Sequence, residues 1–189
     1  MIRIAIVGDI GCGKTFVANQ FRHPLFNADL EVNKLYKTER NCFRKLNKIF
    51  PKYITSFPIA KEAVALAILK NNFNLKKIIK IVHPLVRKEM NKFLAKNKNK
   101  KIVVLDIPLF LENKMNKKRD IIVFVDSKKN KILKRLKKRK NYNIKLINKF
   151  KKIQLPIEYK KKKSQFIVRN NFSNKFLKKD INRILERIL

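Results

Sequence analysis

Glycine is almost missing from this chain. Of 189 residues only three are glycine, and all three fall between positions 8 and 13. A D-x-x-G switch segment of the regulatory GTPase type therefore cannot be built beyond Gly13, and no N-K-x-D guanine motif occurs. Tryptophan is absent. The two cysteines, Cys12 and Cys42, stand far apart without metal-ligand spacing, which excludes a disulfide framework and suits a reducing compartment. No apolar run approaches the ~18 residues of a membrane span. The apolar N-terminus runs straight into the glycine cluster, so no signal peptide is expected and a cytoplasmic location is. Acids are scarce too, 13 against 49 lysines and arginines, for a formal charge of +36. Such a chain attracts polyanions. Its lysines, however, are spread over nearly every segment among asparagine and isoleucine, and no helix-turn-helix, zinc-finger or aromatic RNA-binding signature appears. No specific nucleic-acid partner is expected; the charge suits attraction of a polyphosphorylated small molecule.

The three glycines belong to Gly8-Asp9-Ile10-Gly11-Cys12-Gly13-Lys14-Thr15, which fits the phosphate-loop pattern G-x-x-x-x-G-K-[ST] at every fixed position. It follows the apolar run Ile2, Ile4, Ala5, Ile6, Val7, which reads as a buried parallel strand. Backbone N–H groups from about Gly11 to Thr15, at the start of the next helix, are expected to wrap the β-phosphate of a nucleotide, with Phe16 beside them. Lys14 is expected to bridge the β- and γ-phosphates and the Thr15 hydroxyl to ligate Mg²⁺, leaving Asp9, Ile10 and Cys12 variable. Cys12, near a helix N-terminus, is expected to favour thiolate and to react with thiol reagents unless ATP protects it.

The chain reads as an α/β domain with a parallel sheet of about five strands, a helical lobe over roughly 39–99 and a basic lid over roughly 128–152. The first helix runs from Thr15 to about Arg22, and the short strand Leu25-Phe26 leads to Asn27-Ala28-Asp29. Asp29, at a strand's carboxyl end, is either an N-cap or the group that contacts an attacking hydroxyl. In the lobe, apolar residues recur at helical spacing, as in Phe43, Leu46, Ile49, Phe50 and Leu75, Ile78, Ile79, Val82. His83-Pro84 is expected to break that run, Pro84 opening a new helix over 85–95, with His83 either packed or touching ligand. The strand Ile102–Asp106 ends in a second acid suited to the Mg²⁺ shell. Leu109 to Glu112 reads as a short helix, and 120–125 as the next strand. In the basic helix 128–138, Arg135 and Arg139 are spaced one turn apart, on one face, to close over phosphates or simply to be solvated. After the last strand, Phe166–Val168, Asn170-Asn171 either reads an adenine edge or makes a turn, and a final helix turns Phe176, Leu177, Ile181, Ile184 and Leu185 inward.

In this order GDIGCGKT, NAD at 27–29, HPLVR at 83–87, VVLDIPLFLE at 103–112, LKRLKKR at 133–139, QLPIEYK at 154–160 and IVRNN at 167–171 resemble the dephospho-coenzyme A kinase family over nearly the whole chain. The resemblance implies transfer of the γ-phosphoryl of ATP to the ribose 3′-hydroxyl of dephospho-coenzyme A, by a monomer or weak homo-oligomer. It implies a catalytic role for Asp29, acceptor contacts from His83, Pro84, Arg87, Pro108 and Glu112, lid arginines at Arg135 and Arg139, and an adenine contact from Asn170. Three positions depart from the family pattern. Asn27 replaces the first acid of a D-A-D triplet, Ala60-Lys61 stands for an Asp-Arg pair, with Lys61 in the arginine's place, and Phe172 replaces a glycine. Competing assignments are another P-loop nucleotide or small-molecule kinase and a nucleic-acid-binding ATPase.

Overall fold

The structure, a computed structural model, describes residues 1–139, 141–172 and 174–189, with side chains described for all of these except 174–176. Phe176, expected on the inner side of the last helix, thus has its side chain outside the described residues. Five strands and nine helices follow one another among the described residues: β1 (Ile2–Gly8), α1 (Lys14–Gln20), β2 (Leu25–Asn27), α2 (Ala28–Thr38), α3 (Arg40–Ile49), α4 (Lys61–Lys70), α5 (Asn74–Lys96), β3 (Ile102–Asp106), β4 (Ile121–Asp126), α6 (Lys129–Lys137), α7 (Ile144–Lys151), α8 (Ile157–Lys162), β5 (Phe166–Arg169) and α9 (Asn174–Ile188).

The chain divides into two compact units. The first, residues 1–27, 97–142 and 154–189, holds the whole sheet. All its strands are parallel, in the order β2-β3-β1-β4-β5. Such a sheet is covered on both faces, which is why β3 and β4 are continuous apolar runs up to their terminal aspartates, and β1 one from Ile4 to Val7, rather than alternating ones. From β1 the chain crosses to β2 at one edge, and from β3 it crosses past β1 to β4 on the other side. The carboxyl ends of β1 and β3 therefore flank the point where the winding reverses, the place where parallel α/β sheets bind ligands. In register, Asp106 lies opposite both Ile6 and Asn27.

At the other end of the strands, Arg3 and Asp120 form a buried ion pair with Nη2 to Oδ2 at 2.5 Å. The same carboxylate oxygen accepts from the Lys117 N–H at 2.8 Å, and Arg3 also reaches the Met115 carbonyl, while its buried Nε has no hydrogen-bond partner among the described residues.

The second unit, residues 28–96 and 143–153, is helical. Here the expected break at His83-Pro84 does not occur: α5 runs unbroken through Pro84. Proline removes one N–H from the ladder and crowds the preceding turn. The apolar stripe nevertheless continues across it, with Leu75, Ile78 and Val82 buried before the proline and Val86 and Met90 after it, and burial of that stripe outweighs the lost bond.

Two further expectations are corrected in the first unit. Residues 108–114 form successive turns instead of a short helix, with Leu109 at φ 61° and Lys114 at φ 50°. Leu109, Phe110 and Leu111 are all buried, and three consecutive side chains cannot share one helix face. In the basic segment, α6 ends at Lys137, so Arg139 lies beyond the helix in a bend and not on one face with Arg135. Leu136 is the last buried side chain of α6, and the cations after it offer no apolar stripe to hold another turn.

Removing one partner of the Arg3–Asp120 pair strands a buried charge, so Asp120→Ala is expected to cost about 3–5 kcal/mol in urea denaturation. Arg3→Met combined with Asp120→Leu is expected to cost clearly less than that single change. Equal or greater loss in the double variant would mean that the pair stabilises the sheet beyond its own desolvation.

Candidate active site

The loop between β1 and α1 is held from several sides. The Asp9 carboxylate accepts from the N–H of Ile10 at 2.7 Å, and the Cys12 N–H returns to the Asp9 carbonyl at 3.3 Å. Lys14 Nζ donates to the Asp9 carbonyl at 2.9 Å and approaches that of Gly8 at 3.4 Å, which keeps its ammonium over the loop. Gly13 sits at φ 92°, in left-handed territory. A Cβ there would also collide with the Asn170 amide, and would meet the Phe172 ring at 2.9 Å and the Arg135 guanidinium at 3.0 Å. Only glycine fits this position, on both conformational and steric grounds.

Across the switch point, Thr15 in the first turn of α1 donates from Oγ1 to Asp106 Oδ2 at 2.5 Å. Asn27 Nδ2 donates to the same oxygen at 2.8 Å, and Asp106 is buried at 4% exposure. The two groups expected at a metal are thus in direct contact. An amide at position 27 can donate to Asp106, whereas an ionised carboxylate there would repel it.

On the far side of the loop, Asn170 is 1% exposed. Its Nδ2 donates to the Cys12 carbonyl at 2.8 Å and its Oδ1 accepts from the Phe172 N–H at 2.9 Å. The amide expected at an adenine edge is therefore engaged with the loop. Ser127, just past β4, lies with Oγ 2.8 Å from the same Cys12 carbonyl and 3.1 Å from the carbonyl of Asn170. Ser127 was not among the expected site residues; its partner lies far away in sequence, and a serine after a strand carries no local signal beyond turn formation. The Arg135 guanidinium stacks 4.4 Å from the centroid of Phe172.

The remaining expected residues fall in two groups. In the first unit, Glu112 Oε1 pairs with Lys160 Nζ at 2.7 Å and accepts from the Leu155 N–H at 3.0 Å, tying the turns after β3 to α8; Pro108 is half-buried at the start of those turns. In the second unit, Asp29 is exposed in the first turn of α2, Lys61 is exposed at the start of α4, and half-buried His83 and exposed Arg87 lie one turn apart on α5.

The expectation of a reactive Cys12 is corrected. Its side chain is 1% exposed, and burial pushes the thiol up more than Lys14 nearby pulls it down. Cys42 is likewise enclosed, and burial, with Glu39 adding to it, pushes its thiol up to about 11. Burial disfavours both thiolates and shields both sulfurs from reagents. An aromatic disulfide reagent is expected to label neither cysteine in the native protein within minutes and both in denaturant; rapid labelling of native Cys12 would show that the loop opens far more often than its packing implies.

A model of the dephospho-CoA kinase family matches residues 2–175. A protein of Wolbachia pipientis named dephospho-CoA kinase is 33% identical over 98% of this chain and 97% of its own length. One of the same name from Bacillus thuringiensis is 27% identical over 97% of this chain and 96% of its own. Among solved structures, one from Thermus thermophilus superposes with a TM-score of 0.80 at 24% identity, covering 100% of this chain and 98% of its own. Dephospho-CoA kinase from Campylobacter jejuni superposes with a TM-score of 0.62 at 22% identity, over 98% and 96% of the two chains. With a parallel sheet, a phosphate loop after its first strand and a family match over nearly its whole length, the chain belongs to the dephospho-CoA kinase family, ATP-dependent kinases of the P-loop fold.

Proposed function

We propose that this protein transfers the γ-phosphoryl of ATP to the ribose 3′-hydroxyl of dephospho-coenzyme A, with the first unit holding ATP and the helical unit, through Lys61, His83 and Arg87, holding the acceptor. The observation that carries this reading is the Thr15–Asp106 contact beside the phosphate loop, within a chain that matches the family from residue 2 to residue 175.

A hydroxyl and one carboxylate, with no third acid gathered beside them among the described residues, form a sparse hard-oxygen donor set. That set fits Mg²⁺, which binds through one or two carboxylates and leaves its other positions to water and phosphate. Thr15 and Asp106 would hold it, and when bound it supplies charge neutralisation on the β- and γ-phosphates. Lys14 neutralises the same oxygens from within the loop, and Arg135 adds a guanidinium from the segment 128–152, which serves as the lid. Arg139, past the end of α6, would add a second guanidinium. Asp29 accepts a hydrogen bond from the attacking hydroxyl and orients it. In a loose transition state such positioning, together with electrostatics, does most of the work. No helix among the described residues is long and apolar enough to cross a membrane.

Asp29→Asn keeps the shape and removes the acceptor charge, so kcat is expected to fall about 100-fold or more while ATP affinity stays within about twofold. The assay is ADP release from Mg·ATP, with dephospho-coenzyme A offered beside adenosine, shikimate and nucleoside monophosphates at moderate salt. Turnover with dephospho-coenzyme A alone supports the proposal. Preference for another acceptor would leave the phosphate chemistry in place and reassign the helical unit, while near-normal turnover by Asp29→Asn would remove that residue from the role.

A further inference from the structure

The carbonyl of Cys12 is the meeting point of two side chains that the phosphate-loop motif does not include. Ser127 comes from the end of β4 and Asn170 from the end of β5, and both place a donor 2.8 Å from this one oxygen. The amide orientation of Asn170 is unambiguous. Its Nδ2 must face the Cys12 carbonyl, an acceptor, and its Oδ1 must face the Phe172 N–H, a donor. Ser127 lies between the carbonyls of Cys12 and Asn170, so its single proton bridges the loop to the very residue that also holds it.

The Cys12 carbonyl and the Gly13 N–H belong to one planar trans peptide and point in opposite directions. Holding the oxygen from outside the loop therefore fixes the direction of the N–H. A Cβ built at Gly13 would also run into the Asn170 amide, so that amide lies close over Gly13 as well as on the Cys12 carbonyl. Asn170 in turn is anchored by its own N–H to the Asp126 carbonyl at 2.8 Å and by its burial. Beyond it, Phe172 carries the stacked Arg135, which links a lid guanidinium to the same assembly.

We propose that Ser127 and Asn170 are positioning residues that clamp the Cys12–Gly13 peptide of the phosphate loop, aiming the Gly13 N–H at nucleotide phosphate, and that Asn170 does not read the adenine edge. The proposal rests on the chain being a P-loop kinase that uses ATP, and not on which acceptor it phosphorylates. It acts through backbone N–H groups that meet phosphate, so its effect scales with the phosphates of the ligand and is indifferent to the base.

The test is nucleotide binding by calorimetry without acceptor, at moderate salt, on wild type and on Ser127→Ala, Ser127→Thr, Asn170→Ala and Asn170→Asp, each first checked for native thermal unfolding. Loss of one donor from the shared carbonyl is expected to weaken ATP and ADP binding about 3- to 10-fold. Asn170→Asp, which sets a carboxylate against that carbonyl, should weaken it more. Ser127→Thr, which keeps the hydroxyl, should bind as wild type does. Adenosine affinity and the preference for ATP over GTP should stay unchanged in all variants. If adenosine affinity falls as far as ADP affinity, or if the Asn170 variants lose preference for ATP over GTP, Asn170 reads the base and the clamp is wrong. ADP binding at wild-type strength in both alanine variants would overturn it as well. Because no acceptor is present, none of these outcomes depends on whether dephospho-coenzyme A is the acceptor.

Discussion

A loop that offers its backbone N–H groups to phosphate must have its carbonyls satisfied by something else, and the first unit is arranged around that requirement. Buried backbone oxygens left unpaired are costly. Here the Asp9 carbonyl is met by Lys14 and by the N–H of Cys12, that of Gly8 lies within reach of Lys14, and that of Cys12 is met by Ser127 and Asn170. The satisfying groups come from the loop itself, from the end of β4 and from the end of β5. The parallel order of the sheet brings those ends to one side, so sheet topology and loop conformation are one constraint.

The excess of positive charge makes the few acids conspicuous. Asp106 and Asp120 are buried and Glu112 nearly so, and each is matched by donors: Thr15 and Asn27 for Asp106, Arg3 and the Lys117 N–H for Asp120, Lys160 and the Leu155 N–H for Glu112. They also divide by position. Asp106 stands at the carboxyl end of β3 beside the loop, and Asp120 at the start of β4, paired with the start of β1. The donors to Asp106 include two neutral groups, the Thr15 hydroxyl and the Asn27 amide.

Much of this was legible in the residues themselves. The phosphate loop announced itself by pattern and by monopolising glycine, β3 and β4 by apolar runs ending in Asp106 and Asp126, and β1 by an apolar run broken only at Arg3 and ending in Gly8. Local rules fail where burial by distant chain overrides them. A proline at position 84 predicts a helix break, yet the stripe on both sides of it is buried. The apolar run Leu109 to Leu111 predicts a helix, yet all three side chains turn inward. The spacing of Arg135 and Arg139 predicts one helix face, yet the helix ends two residues before Arg139, where its apolar face runs out.

What the sequence by itself determined is therefore what depends on chain neighbours: the loop and its glycine, the order of strands and helices, and acids placed at strand ends. Only the tertiary structure decided what each polar group faces. It gave Asn170 to the Cys12 carbonyl, joined Ser127 to the same oxygen, set Asn27 against Asp106 and enclosed Cys12 so that burial pushes its thiol up. The physical reason is that a hydrogen bond or a desolvation cost is set by which groups meet in space. In a parallel sheet the residues that meet at one end come from strands widely separated along the chain, and no local pattern records their pairing.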